Sequence, residues 1–166
     1  MGGGYSRRGL KRYTIGIRPR PSAGEAGAPT DRDRVAARGG AAFHQFTPLI
    51  EHSAILLERT DRRYATREEL IDAFAWIDGQ LALVAAPDRR FLLVDTRATT
   101  GRNDPQFEQA MAPLRRQLQA NFERVAVVLR STIGRMQVER YARDDGDVPL
   151  RAFTSYEEAL GWLTKS

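Results

Sequence analysis

From Phe43 onward, short apolar runs alternate with amphipathic segments that open at recognisable caps, and this alternation constrains the fold more than any other feature. Phe43–Ile50 and Ala54–Glu58 are apolar runs separated by Glu51-His52-Ser53, which predicts a strand, a tight turn and a second strand. Thr66-Arg67-Glu68-Glu69 is a capping box: the Thr hydroxyl accepts an amide three residues on, and the Glu reaches back. It opens a helix with Leu70, Phe74, Ile77, Leu81 and Val84 on one face, ended by Pro87. Asp78-Gly79 weakens that helix, so a strand from Leu81 to Ala85 competes with its last turn.

Phe91-Leu92-Leu93-Val94 is continuously apolar, as a strand covered on both faces must be. Asp104-Pro105 then supplies an N-cap and a first-turn proline for a helix carrying Phe107, Met111, Leu114, Leu118 and Phe122 on one face. Pro113 lies inside it and should kink it. Val125–Leu129 is the next strand. Ser131 or Thr132 caps a helix that Asp145-Gly146 stops. Leu150–Phe153 is the last strand, and Ser155-Tyr156-Glu157-Glu158 is a second capping box for a terminal helix. The order β-β-α-β-α-β-α-β-α predicts an α/β fold with a mainly parallel sheet, helices covering it, and one antiparallel edge strand from the opening hairpin.

Residues 1–42 show no such pattern. They are rich in Gly, Ala, Arg and Pro, and cannot bury enough surface to offset their ordering entropy. The expected organisation is a disordered basic tail over 1–42 and one domain over 43–166. Two readings of the tail stay open: a solvated basic arm, or sequence upstream of an alternative start at Val35. Residues 1–45 hold nine Lys or Arg against three Asp or Glu, whereas the remaining residues hold seventeen against eighteen. The basic pI thus belongs to the tail, and nucleic acid is not the expected partner of the folded core. Arg7-Arg8 and Lys11-Arg12 offer a tail-mediated electrostatic contact instead.

Several chemistries are excluded. No cysteine is present, so disulfides, thiolate metal sites and thiol catalysis are absent. His44 and His52 lack metal-ligand spacing, no Gly-x-Ser-x-Gly elbow occurs, and there is no phosphate-binding Gly-x-x-x-x-Gly-Lys-Ser/Thr loop. Glu68-Glu69 and Glu157-Glu158 fall at helix starts, where they favour the macrodipole. No enzyme, cofactor or metal is expected. No apolar run is long enough to span a bilayer and the N-terminus lacks a signal-type apolar segment, so a soluble, cytoplasmic protein without a membrane span is expected.

The succession from Phe43 to Leu163 resembles the STAS domain of bacterial anti-sigma-factor antagonists, in particular its SpoIIAA-like branch grouped with Sec14-type domains. The stretch Phe91-Leu92-Leu93-Val94-Asp95-Thr96-Arg97-Ala98-Thr99-Thr100-Gly101-Arg102-Asn103-Asp104-Pro105 carries it: a strand, an Asp and a polar loop entering a helix. The Arg124–Arg130 strand, the Ser131–Gly146 helix and the closing Tyr156-Glu157-Glu158-Ala159-Leu160-Gly161-Trp162-Leu163 helix continue it. The resemblance implies a non-enzymatic regulatory module of bacterial signalling that binds a protein partner such as an anti-sigma factor. It places the docking surface at the loop after the third strand and the following helix. The family's phosphorylatable Ser or Thr is missing: the place reads Asn103-Asp104-Pro105, where Asp104 either mimics a permanent negative charge or caps the helix, the cap being favoured, so the resemblance does not carry over kinase switching of the usual kind.

Independently of the resemblance, ligands of open α/β sheets sit at the carboxyl ends of parallel strands. The loops there offer Arg62, Arg63, Arg97, Arg102, Arg130 and Arg135 with Thr99, Thr100, Ser131 and Thr132, groups suited to a small anion or an acidic partner surface. The opposing view is a scatter of solvated arginines in a chain with 24 Arg and two Lys. The candidate partner- or anion-binding set is therefore Arg97, Thr99, Thr100, Arg102, Asn103, Asp104, Ser131, Thr132 and Arg135. A Sec14-like small-ligand or lipid binder is the alternative, for which a cavity lined by Phe74, Phe107 and Met111 would be the mark.

Overall fold

The computed structural model describes residues 39–100, 104–146 and 148–165. Five strands form one sheet in sequence order: β1 (His44–Leu49), β2 (Ala54–Arg59), β3 (Phe91–Asp95), β4 (Arg124–Val128) and β5 (Leu150–Phe153). β1 and β2 are antiparallel and the remaining pairs are parallel, as the alternation of strands and helices requires. The hairpin turns through a short 3-10 segment, Ile50–His52, and Ser53 at a φ of 48°. The register places His44 opposite Arg59.

Four helices follow: α1 (Arg67–Leu81), α2 (Pro105–Gln119), α3 (Thr132–Asp145) and α4 (Tyr156–Thr164). Each begins at the cap expected of it. Thr66 accepts from the Glu69 amide, Asp104 from Gln106 and Phe107, Ser131 from Gly134, and Ser155 from Glu158. α3 ends at Gly146, whose φ of 49° suits glycine. α1 runs through Gly79 and stops at Leu81; residues 82–84 turn and bend away from it, so the competing strand does not form. Pro113 is accommodated inside a continuous α2 on an exposed face, where water can meet the carbonyl left without its amide.

The strands step in one direction across the sheet, and right-handed crossovers in one direction deposit α1, α2 and α3 on the same face. Alternation along the strands then divides the core in two. Ile55, Leu57, Leu92, Val125 and Val127 face α1 and α2 through Ile77, Leu81 and Leu118. Ala54, Leu93, Ala126 and Val128 face α4 through Ala159 and Leu163. Trp76 and Trp162 are half-buried beside these two cores, flanking positions as their helical spacing suggests. Gly40 is buried against Trp76 so closely that a Cβ there would overlap the indole, which draws the segment before Phe43 onto the domain. Residues 1–38, where the rest of the basic tail falls, lie outside the described residues.

Candidate functional site

The two faces of the sheet are filled differently. On the α4 face the small side chains Ala54, Ala126 and Ala159 let the helix close onto the strands. On the other face the sheet and the layer of α1, α2 and α3 border a half-open cavity of about 270 Å³. Its walls are apolar: Leu92, Val94 and Val127 rise from the strands, Phe74 comes from α1, and Phe107 and Met111 come from α2. This explains why Phe107 and Met111 remain half-buried although they belong to the inward stripe of α2, where only Leu118 and Gln119 are buried. The cavity lies near the lower end of the size range of small-molecule sites.

One end of the cavity is polar, and it coincides with the carboxyl ends of β2 and β3. Thr96, Thr99 and Thr100 line it from the loop after β3. Thr96 Oγ1 donates to the Val128 carbonyl at 3.0 Å and Thr99 Oγ1 to the Thr96 carbonyl at 3.0 Å, which holds the loop to β4 and to itself. Arg63 reaches across from the β2–α1 connection, its Nε donating to Thr100 Oγ1 at 3.2 Å. Arg130 joins from β4's exit, its Nη2 donating to the Thr99 carbonyl at 3.3 Å.

Beneath this rim sits a buried trio from β1, β2 and the connection after it. His44 is only 3% exposed. Its Nε2 lies 3.2 Å from the Tyr64 hydroxyl. The Arg59 guanidinium stacks 4.2 Å over the Tyr64 ring. Arg59 Nη2 also donates to the Arg62 carbonyl at 3.1 Å. Burial, reinforced by the Arg59 charge, pulls the His44 pKa down to about 3, so the ring is neutral at physiological pH. Burial pushes Tyr64 up to about 12, so it stays a phenol. Two buried polar atoms in this trio have no hydrogen-bond partner: His44 Nδ1 and Arg59 Nη1. Such groups cost about 1–3 kcal/mol each when left unsatisfied.

The seam between α2 and α3 carries a second polar group. Arg115 pairs with Glu108 at 3.7 Å and stacks 4.0 Å over the Tyr141 ring, while Gln137 donates to the Tyr141 hydroxyl at 2.6 Å. Burial first, then Glu108, raises Tyr141 to about 12. These contacts tie the two helices together over the cavity.

The candidate residues named from the sequence are divided by the sheet. Thr99 and Thr100 line the cavity. Arg97 is committed elsewhere: it forms an ion pair with Asp95 at 2.6 Å, and its other charged neighbours are Glu157 and Glu58. Burial raises Asp95, but the bonds from Arg97 outweigh it and hold the carboxyl below its usual range. Ser131 caps α3, Thr132 begins it, and Arg135 pairs with Glu139 along the helix at 3.3 Å. Asp104 caps α2. Arg102 and Asn103 lie outside the described residues. His44, Arg59 and Tyr64 were missed as a set, because the β1–β2 register brings His44 opposite Arg59 and the connection after β2 folds Tyr64 back onto them. Their sequence signal is slight: His44 lies in the first strand of the predicted hairpin and Arg59 one residue past the second, Ala54–Glu58.

Among the described residues no cluster of His, Asp and Glu would hold a metal ion, and no helix is long and apolar enough to cross a membrane. No protein-family model matches the chain, and no curated protein matches it. A solved structure does: an uncharacterised protein of the DUF3478 family with a SpoIIAA-like fold from Shewanella loihica PV-4. It superposes with a TM-score of 0.51 at 14% identity, over 66% of this chain and 83% of that one. With the strand order, the parallel crossovers and the antiparallel edge strand, this gives the chain a SpoIIAA-like, STAS-type fold, as its sequence resemblance implied.

Proposed function

We propose that this chain is a non-enzymatic, cytoplasmic binding module that holds a small apolar ligand between its sheet and its α1–α3 layer. The cavity carries this reading. Phe74, Phe107 and Met111 all line it, which favours a ligand binder over a module working by surface contact alone. Its position at the strands' carboxyl ends is where open α/β sheets bind ligands. Isothermal titration with 1-octanol tests the reading. The full chain should bind it, and Val127→Phe, which pushes a ring from β4 into the cavity, should weaken binding by about tenfold or more, the worth of roughly 1.4 kcal/mol. Absence of binding to the wild type, or equal binding by the variant, would refute it.

A second reading is favoured by a specific feature of α3. Ile133 is 78% exposed and Met136 64%, an unusual pair of large apolar side chains on the solvent side of a helix. They adjoin Ser131, Thr132 and Arg135, members of the candidate partner-binding set. A regulatory protein docking there, such as an anti-sigma-factor-like protein, is compatible with the cavity, because the α2–α3 seam lies between the two.

A further inference from the structure

The proposed cavity leaves the chemistry of its ligand open, and the groups at its mouth answer that question. Phe107, in the first turn of α2, packs 6.0 Å from the Tyr64 ring, and Arg63 precedes Tyr64 in the chain. At this carboxyl end of the sheet Arg63, Thr99 and Thr100 meet the apolar lining. Arg63 and Thr100 are both exposed, so the polar end is also the end open to solvent. From there Phe107, Met111 and Leu118 carry the apolar wall inward along about 16 Å of α2.

Arg63 is the cation that the mouth presents. Its Nε and Nη2 both donate to Thr100 Oγ1, which fixes the guanidinium beside the opening and leaves Nη1 for another acceptor. Thr100, accepting both bonds, keeps its own hydroxyl proton to donate. Thr99 is already spent, since its hydroxyl donates to the Thr96 carbonyl. The ion pairs among the described residues engage Arg62, Arg90, Arg97, Arg115, Arg135 and Arg140, and Arg63 is in none of them. Arg59, which also lines the cavity, is in none of them either, so two cations without an acidic partner stand at this end. Apolar walls concentrate such a field on whatever enters. The α2–α3 seam is no rival seat for an anion, because Arg115 there is paired with Glu108, whose side chain also lines the cavity.

Resting on the proposed cavity function, we infer that the ligand is an anionic amphiphile. Its head, a carboxylate or a phosphate, sits at the mouth on Arg63 Nη1 and the Thr100 hydroxyl, and its apolar body lies along Phe107, Met111 and Leu118. A guanidinium fork takes either kind of oxyanion, and the exposed position of Arg63 lets the head keep part of its water while the body is buried.

Isothermal titration of the full chain at neutral pH with octanoate, octyl phosphate, 1-octanol and octylammonium tests this, since the four share one tail. Both anions should bind about tenfold more tightly than octanol, the effect of one charge-assisted hydrogen bond, and octylammonium more weakly than octanol. The tighter of the two anions then names the head, either one supporting the inference. Arg63→Gln should erase the preference for the anions and leave octanol affinity unchanged. Arg151→Gln, which removes the same charge from the α4 face beside Phe153 and Trp162, should keep the preference. Anions binding no better than octanol overturn the inference while the cavity function stands, as does a preference that survives Arg63→Gln. Octanoate affinity unchanged by Val127→Phe, with octanol affinity lowered, overturns it too, because the anion is then held at the surface with its body outside the cavity. Absence of octanol binding removes the cavity function itself, and the inference with it.

Discussion

His44 shows how much one buried ring can report. Its pKa is about 3 in the fold against 6.5 in an unfolded chain, so below pH 6.5 the unfolded state binds a proton that the fold refuses. Stability from this residue is intact above pH 6.5 and falls as the pH drops from there towards 3. The slope approaches about 1.4 kcal/mol per pH unit, the value for one proton. Urea midpoints measured across that range should fall less steeply for His44→Phe than for the wild type. Equal slopes would mean that His44 is not the neutral, buried group described. At this scale the sequence was partly readable. Cap residues act on amides two or three positions away, so Thr66, Asp104, Ser131 and Ser155 were recognisable without any tertiary information. Arg59 was not, because its difference from the other arginines lies in its burial and in a neighbour, His44, that only the hairpin register brings opposite it.

Among the elements, α2 and α3 depart from simple amphipathic helices in opposite ways. The inward stripe of α2 is incompletely buried because it faces the cavity, whereas α3 turns Ile133 and Met136 outward. The periodicity of α2 was legible, but a stripe that lines a void has the same spacing as one that packs against a wall. The extent of α1 was open at its end, since Leu81–Ala85 reads as a last turn or a strand; the helix ends at Leu81, where the bonding tightens to three-residue turns, Leu83 N–H to the Gln80 carbonyl and Val84 N–H to that of Leu81. For α3 the expectation is functional. Glutamates at both outward positions should leave folding stability within about 0.5 kcal/mol, the usual range for surface changes. The same double variant, Ile133→Glu with Met136→Glu, should lose a signalling protein that the wild-type chain retains from its native extract. Equal recovery of that protein by both forms would rule out α3 as the docking face.

On the scale of the whole molecule, the fold follows from strand order and handedness. Sequential parallel strands with right-handed crossovers leave three helices on one face, and the terminal helix takes the other. That much could be derived from where the apolar runs and caps fall. The cavity could not, because it depends on how three helices of unequal bulk settle over one sheet face; only its lining residues could be named in advance. The central claim is that this space holds an apolar ligand. Intermolecular nuclear Overhauser contacts between 1-octanol and the methyl groups of the isotope-labelled chain test it most directly. The account predicts contacts to Val94, Met111 and Val127, all inside the cavity. Contacts confined to Ile133 and Met136, on the outer face of α3, would contradict it.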